Sequence, residues 1–217
     1  MWGLRESIDA LGWIAAPLAP FSDKGMVYGA LGNRAGSVIS IGCGNGEKDE
    51  HIVRRRKPHL LVGLDIFEPC LRACQRTSIH DGLVLGDARC LPFRDRSFDV
   101  VVAAEVIEHL EKADASELLR EMERVARKKI IVTCPVGYVD QGDYDGNPFQ
   151  LHRSGFSPAE FRRRGYRVRG AGLRWVWYGG QAGLLQSLAV GVTSLLPISY
   201  SIPELGGAMV CVRLLAE

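Results

Sequence analysis

The sequence predicts an α/β fold: a seven-stranded, mostly parallel sheet with helices on both faces. Three observations predict it. Apolar runs of strand-forming residues recur at 38–42, 60–65, 82–87, 98–104 and 129–134, and segments of helical periodicity separate them. The runs are apolar at successive positions instead of alternating, which suits strands buried on both faces. Several end in a glycine turn or a carboxylate, at Gly42, Asp65, Asp87 and Glu105. In open parallel sheets ligands bind at those carboxyl ends.

Taken in order, residues 1–36 read as an N-terminal cap. Leu4, Ile8, Leu11 and Trp13-Ile14 are spaced helically, a loop follows through Pro17 and Pro20, and Met26 to Leu31 reads as a short helix. Strand 38–42 leads to a helix over 48–57 that Pro58 stops. Strand 60–65 precedes a helix from Glu68 to Arg76, and strand 82–87 ends in Asp87. Strand 98–104 precedes an amphipathic helix from Asp114 to Arg127, and Pro135 closes strand 129–134. A long polar loop spans 137–155. Ser157-Pro158 is a helix start, with a sixth strand at 166–171 and a seventh at 208–214.

Composition bounds the function. The net charge is +2, from 27 basic and 25 acidic residues, so no global field draws nucleic acid. The basic clusters 54–57, 124–129 and 162–164 fall near predicted helix ends, where they complement the helix dipole. The six cysteines contain no Cys-x-x-Cys pair and read as free thiols in a reducing compartment. Met1 to Glu6 lacks the basic start and apolar core of a signal peptide. A cytoplasmic location is the expectation.

The chain is organised around Val38-Ile39-Ser40-Ile41-Gly42-Cys43-Gly44-Asn45-Gly46. Glycine tolerates positive φ and carries no Cβ to hold a ligand off the backbone. The turn's N–H groups, and those of the next helix's first turn, then face the ligand. The spacing differs from the dinucleotide fingerprint Gly-x-Gly-x-x-Gly.

The glycine turn is followed by Asp65, by Gly86-Asp87-Ala88 with Leu91-Pro92-Phe93, and by Ser97-Phe98-Asp99. This ordered series resembles the class I S-adenosylmethionine-dependent methyltransferases, type-11 group. The resemblance is close over residues 36–135 and looser over 152–170. It implies a Rossmann-like sheet with a reversed final strand and S-adenosylmethionine as cofactor. It assigns Gly42, Cys43, Gly44 and Gly46 to the methionine part of that cofactor and Asp65 to the ribose hydroxyls. Asp87 and the Ala88 N–H take the adenine edge, Ile66 packs on the ring, and Ala104 and Glu105 lie by the sulfonium. Ser40 stands where the family often has an acidic residue, and its hydroxyl is expected to bond the turn.

Glu105-Val106-Ile107-Glu108-His109 follows the fourth strand. It resembles the Glu-x-x-Glu-His cluster of ubiquinone-pathway O-methyltransferases and small-RNA 2′-O-methyltransferases. In the latter, that cluster and a later histidine hold a divalent ion, and His152 is the later candidate here. The expected site is metal-free, with His152, Glu105 and His109 as catalytic candidates. An imidazole suits removal of a hydroxyl or ammonium proton. The metal-dependent O-methyltransferase is the alternative.

Trp175 to Pro203 carries no charged residue. Its glycines and polar residues argue against a spanning helix. It reads as a lid on the acceptor side, with a homodimer or peripheral membrane contact as the other role. The whole is a single domain over 1–217: cap 1–36, cofactor-binding core 37–135, and acceptor-side region 136–217 containing the insertion 175–203. The expected activity is methyl transfer to O, N or C of a small-molecule or lipid-linked acceptor, with no nucleic-acid partner. A non-catalytic module that keeps the fold as scaffold, or a membrane-surface interaction protein, is the rival class.

Overall fold

The computed structural model describes residues 23–32, 36–50, 58–143, 146–174, 192 and 197–216. The expected cap helix at 4–14, most of helix 48–57 and nearly all of the insertion lie outside these residues. Helix α1 spans Asp23–Leu31, longer than the expected 26–31. The strands are β1 (Ser37–Ile41), β2 (Leu60–Asp65), β3 (Gly82–Leu85), β4 (Phe98–Ala104), β5 (Ala126–Pro135), β6 (Arg167–Ala171) and β7 (Ala208–Leu214). The remaining helices are α2 (Glu68–Gln75), α3 (Lys112–Val125), α4 (Pro158–Arg163) and α5 (Ile198–Ser201).

The seven strands form one sheet in the order β3-β2-β1-β4-β5-β7-β6. β1 is central, with Val38 opposite Leu61 of β2 and Val100 of β4, both parallel. β7 runs antiparallel to β5 and to β6, which is the reversed final strand. Successive residues of β1 and β4 feed opposite faces. Ile39, Ile41 and Val101 join Leu118 and Met122 of α3 and Phe161 of α4 on one face. Val38, Val100 and Val102 join Met26, Val27 and Leu31 of α1 on the other. The period-two alternation of a strand thus buries both of its faces, as the continuous apolar runs require.

Two of the boundaries that differ from the sequence expectation have a visible cause or consequence. The helix expected over 114–127 is α3, 112–125, and Ala126 is already extended. Arg127 donates to the Arg96 and Ser97 carbonyls at 2.7 Å each, and Arg127 and Lys128 pair with Asp99 at 3.1 and 3.0 Å. These partners draw 126–128 into strand pairing, with Ala126 opposite Phe98. That part of the basic run is therefore strand, not a helix-end cluster. β3 stops at Leu85, so Asp87 sits in the following loop, not on the strand.

α4 starts as expected: Ser157 and Glu160 form a reciprocal capping box with Pro158 in the first turn. The described end of the insertion, α5, packs on the sheet edge at β6. A Cβ at Gly170 would lie 2.5 Å from the Ser199 carbonyl oxygen, so only glycine permits this approach. Among the described residues no helix is long and apolar enough to cross a membrane.

Candidate functional site

β1 ends in the glycine turn, and three left-handed residues, Gly42, Gly44 and Gly46 (φ +66°, +56° and +88°), shape it. The Gly42 and Cys43 N–H groups donate to the Leu64 carbonyl at 2.7 and 3.1 Å, which ties the turn to β2. The Gly44 N–H donates to Asp65 Oδ2 at 2.8 Å, and the Phe67 N–H donates to Asp65 Oδ1 at 2.8 Å. The Asp65 carboxylate is therefore fixed between the turn and the end of its own strand. Each of its oxygens keeps acceptor capacity beyond one bond. A Cβ built on Gly44 meets nothing within 4 Å, so this part of the turn opens onto space a ligand can fill. Ile66, next to Asp65, is 38% exposed, an apolar surface at the same mouth. This open face, anchored carboxylate and exposed apolar residue fit an adenosyl cofactor.

Ser40 does not bond the turn. Its hydroxyl donates to Asp49 Oδ1 at 2.9 Å. Asp49 lies in the helical residues 47–50 and is buried, so it supplies the carboxylate that position 40 lacks. Sequence reading missed Asp49 because the helix, not the strand, carries it. It also missed Lys48, whose Nζ donates to the Ala104 carbonyl at the end of β4 at 3.3 Å.

Asp87 is already engaged. Arg89 Nε lies 3.0 Å from both carboxylate oxygens, Arg89 Nη2 is 2.6 Å from Oδ2, and the Arg89 N–H adds a bond of 2.9 Å. The Arg89 guanidinium holds the Asp87 carboxyl below the usual carboxylate range. Arg89 also pairs with Asp114 at 2.9 Å. An adenine amino group at this edge must share these oxygens with Arg89. Ala88 lies between Asp87 and Arg89 and packs its side chain on the core.

The third part of the site lies past β4. Glu105 has φ +57°, a conformation that costs a side-chain-bearing residue of order 1–3 kcal/mol. Thr133 of β5 holds it there. The Glu105 N–H donates to the Thr133 carbonyl at 3.0 Å, and Thr133 Oγ1 donates to Glu105 Oε1 at 2.8 Å. The next turn, 107–109, brings Glu108 and His109 underneath. The polar loop then folds back onto it: the Arg153 and Ser154 N–H groups both donate to the Glu108 carbonyl, at 2.8 and 3.1 Å. This docking seats His152 against His109, with ring centres 4.9 Å apart.

The two imidazoles share one hydrogen-bond pattern. His152 Nδ1 is 2.7 Å from the Val139 carbonyl, and His109 Nδ1 is 3.3 Å from the Leu151 carbonyl. A carbonyl accepts only, so each Nδ1 carries a proton, and in the neutral ring Nε2 is the nitrogen with the lone pair. Burial, and then the neighbouring His152, push the His109 pKa down to about 4. Burial first, and the Glu105 charge second, push the Glu108 carboxyl well above its ordinary value. The neighbouring Glu105 side chain also favours the protonated form of Glu108. One ligand atom each from Glu108, His109 and His152 lie within 4.8 Å of one another.

Phe149 of the loop reaches Phe67 at the end of β2, with ring centres 6.4 Å apart. The contact crosses above the ends of β1 and β4, which separate β2 from β5 in the sheet. The glycine turn, the end of β2 and the end of β4 thus share the carboxyl end of the sheet, and the loop after β5 reaches it.

The family model for the methyltransferase domain matches residues 39–133. Phthiotriol/phenolphthiotriol dimycocerosates methyltransferase 1 of Mycobacterium ulcerans is 34% identical over 104 residues, 47% of this chain and 35% of that protein. The fatty-acid O-methyltransferase of Mycolicibacterium smegmatis is 35% identical over 92 residues, 42% of this chain and 33% of that protein. The chain spans about a third of the length of these curated relatives. Among solved structures, the complex between the Haloferax volcanii Trm112 methyltransferase activator and the putative methyltransferase contains a similar chain. Its TM-score is 0.63 at 16% identity, covering 99% of this chain and 98% of that one, a likeness of fold. The matched profile, the sheet order and the glycine turn agree: residues 39–133 of this chain are similar to the methyltransferase domain family.

Proposed function

We propose that the chain is a single methyltransferase domain that transfers a methyl group to a hydroxyl of a lipid-like small molecule. The observation that carries this reading is the Asp65 carboxylate, fixed by the Gly44 N–H at the edge of the open turn and on the same side of the sheet as Glu105. When bound, S-adenosylmethionine supplies an activated methyl on its sulfonium, so positioning does much of the catalytic work. Gly42, Cys43, Gly44 and Gly46 would hold its methionine part, and Asp65 the ribose hydroxyls. Ile66, Ala88 and Asp87 would take the adenine, and Ala104 and Glu105 the sulfonium end. His152, with Nδ1 held by the Val139 carbonyl, offers Nε2 to the acceptor proton, and His109 orients beside it.

Two relatives support the lipid-like acceptor, since their names place phthiotriol dimycocerosates and fatty acids as what they methylate. A cytoplasmic domain with peripheral membrane contact through 175–203 suits such an acceptor. A thermal-shift screen with S-adenosylmethionine and S-adenosylhomocysteine, followed by methylation assays on fatty acids and long-chain diols, tests the reading. Absence of a shift with either compound in folded protein would overturn it.

One observation favours a second reading, divalent-metal-dependent O-methylation. The Glu108 carboxyl is buried and within ligand reach of His109 and His152. A carboxylate and two imidazole nitrogens fit a hard-to-borderline divalent ion. They would hold that ion beside the acceptor oxygen, where it would acidify the hydroxyl. Loss of activity on chelation and its recovery with Mg²⁺ or Mn²⁺ would establish this reading over the first.

A further inference from the structure

A second cluster lies between the glycine turn and β2, where a Cβ on Gly46 would meet Cys74 and one on Gly63 would meet Cys43 and His80. Cys43 of the turn, Cys74 of α2 and His80 of the loop before β3 each present a ligand atom, and these atoms lie within 4.8 Å of one another. Cys43 and Cys74 are 5% and 1% exposed. The Cys74 Sγ to His80 Nδ1 distance is 3.3 Å. The S···N edge of a tetrahedral zinc site is ~3.5 Å, given Zn–S of ~2.3 Å and Zn–N of ~2.0 Å. The cluster is therefore near ligand spacing as it stands.

The surroundings orient it. His80 Nε2 is 2.9 Å from Asp49 Oδ2, and Asp49 Oδ1 accepts the Ser40 hydroxyl at 2.9 Å. The Asp49 carboxylate fixes the imidazole proton on Nε2, which leaves the Nδ1 lone pair aimed at the sulfur. A carboxylate behind a histidine in this way is the usual support of a metal-bound imidazole. Charge selects the ion. Two thiolates and a neutral imidazole neutralise a divalent cation at its ligands, and the buried Asp49 carboxylate behind them is held by hydrogen bonds from Ser40 and His80.

We propose that Cys43, Cys74 and His80 supply three ligands to one zinc-type divalent cation, leaving its fourth position to an exogenous ligand. The ion would cross-link the glycine turn to α2 and to the loop before β3. Its place is separate from the Glu108, His109 and His152 cluster, and it lies between the glycine turn and β2.

Co²⁺ is the probe, because only thiolate ligation gives an intense sulfur-to-cobalt charge-transfer band. The full chain carrying His109→Ala, which removes a ligand of the other cluster, is titrated with Co²⁺ and then with Zn²⁺. The expected result is a charge-transfer band saturating at about one equivalent and bleached by Zn²⁺. The band should vanish in Cys74→Ser and in His80→Ala and persist in Cys90→Ser, which alters an exposed thiol. Excess Zn²⁺ should also raise Tm by about 5 °C or more in the parent and not in Cys74→Ser. No band in the folded parent would overturn the proposal and leave a hydrogen-bonded thiol–imidazole pair. A band lost only in Cys90→Ser would overturn it equally.

Discussion

The imidazoles of His109 and His152 lie 4.9 Å apart, centre to centre, although one follows β4 and the other belongs to the loop after β5. The Glu108 carbonyl makes the pairing. By accepting two N–H bonds from Arg153 and Ser154 it pins the returning loop to the turn that carries His109. Replacing His152 by Asn should therefore lower kcat by ~100-fold or more, the usual contribution of a positioned base, and leave cofactor affinity unchanged. Steady-state kinetics with calorimetry of S-adenosylhomocysteine binding checks this. An unchanged kcat would remove His152 from the reaction.

Asp65→Ala should weaken cofactor binding by about 1–3 kcal/mol, the range for lost charge-assisted hydrogen bonds. The same change frees the Gly44 N–H, so slower exchange protection of the turn is not expected to survive it. Calorimetry on folded variants provides the measurement. Equal affinity in the variant would exclude the carboxylate from the ribose site.

Gly44→Ala separates space from strain. The new Cβ clashes with nothing in the chain, but φ of +56° costs a residue with a Cβ about 1–2 kcal/mol. The variant should fold with a slightly lowered Tm and lose most of its cofactor affinity, because the Cβ would stand where the ligand approaches. Full retention of affinity would place the cofactor elsewhere.

Asp99 sets an acid limit on stability. Burial raises its pKa, but the Ser37 N–H, Lys128 and Arg127 more than offset this and bring it to about 2. A carboxyl whose pKa is depressed on folding stabilises fully above its unfolded pKa of ~3.9 and loses that contribution as pH falls toward the folded value. The stability gap between the parent and Asp99→Asn should be widest near about pH 5 and narrow by roughly 2 kcal/mol toward about pH 2. Urea denaturation across that range measures it, and a gap independent of pH would contradict the assignment.

Removing 179–196 with a short Gly-Ser bridge should preserve cofactor binding and abolish turnover of a lipid-like acceptor. The cut stops before α5, whose Ser199 and Pro203 neighbourhood packs on Gly170 of β6. Normal turnover by the shortened protein would refute a lid role for the insertion.

The sequence by itself determined the sheet and the turn. Runs such as 98–104 are apolar on both alternating faces, and only a strand covered on both sides satisfies that composition. The three glycines carry their positive φ as a local property, and Asp65 ends its strand wherever the chain goes afterwards. Tertiary structure decided what depends on meetings between distant segments. Arg127 and Lys128 leave the helix because Asp99 and the Ser97 carbonyl lie beside them, not because their helix propensity is poor. Asp49 replaces the acidic residue missing at position 40 because the first helical turn brings it within 2.9 Å of the Ser40 hydroxyl. Arg89 ties Asp87 to Asp114 of α3 only once the loop after β3 has closed. Cys43, Cys74 and His80 meet because three segments converge at one turn. Periodicity records which face of an element is buried; it carries no record of which side chain from another element arrives there.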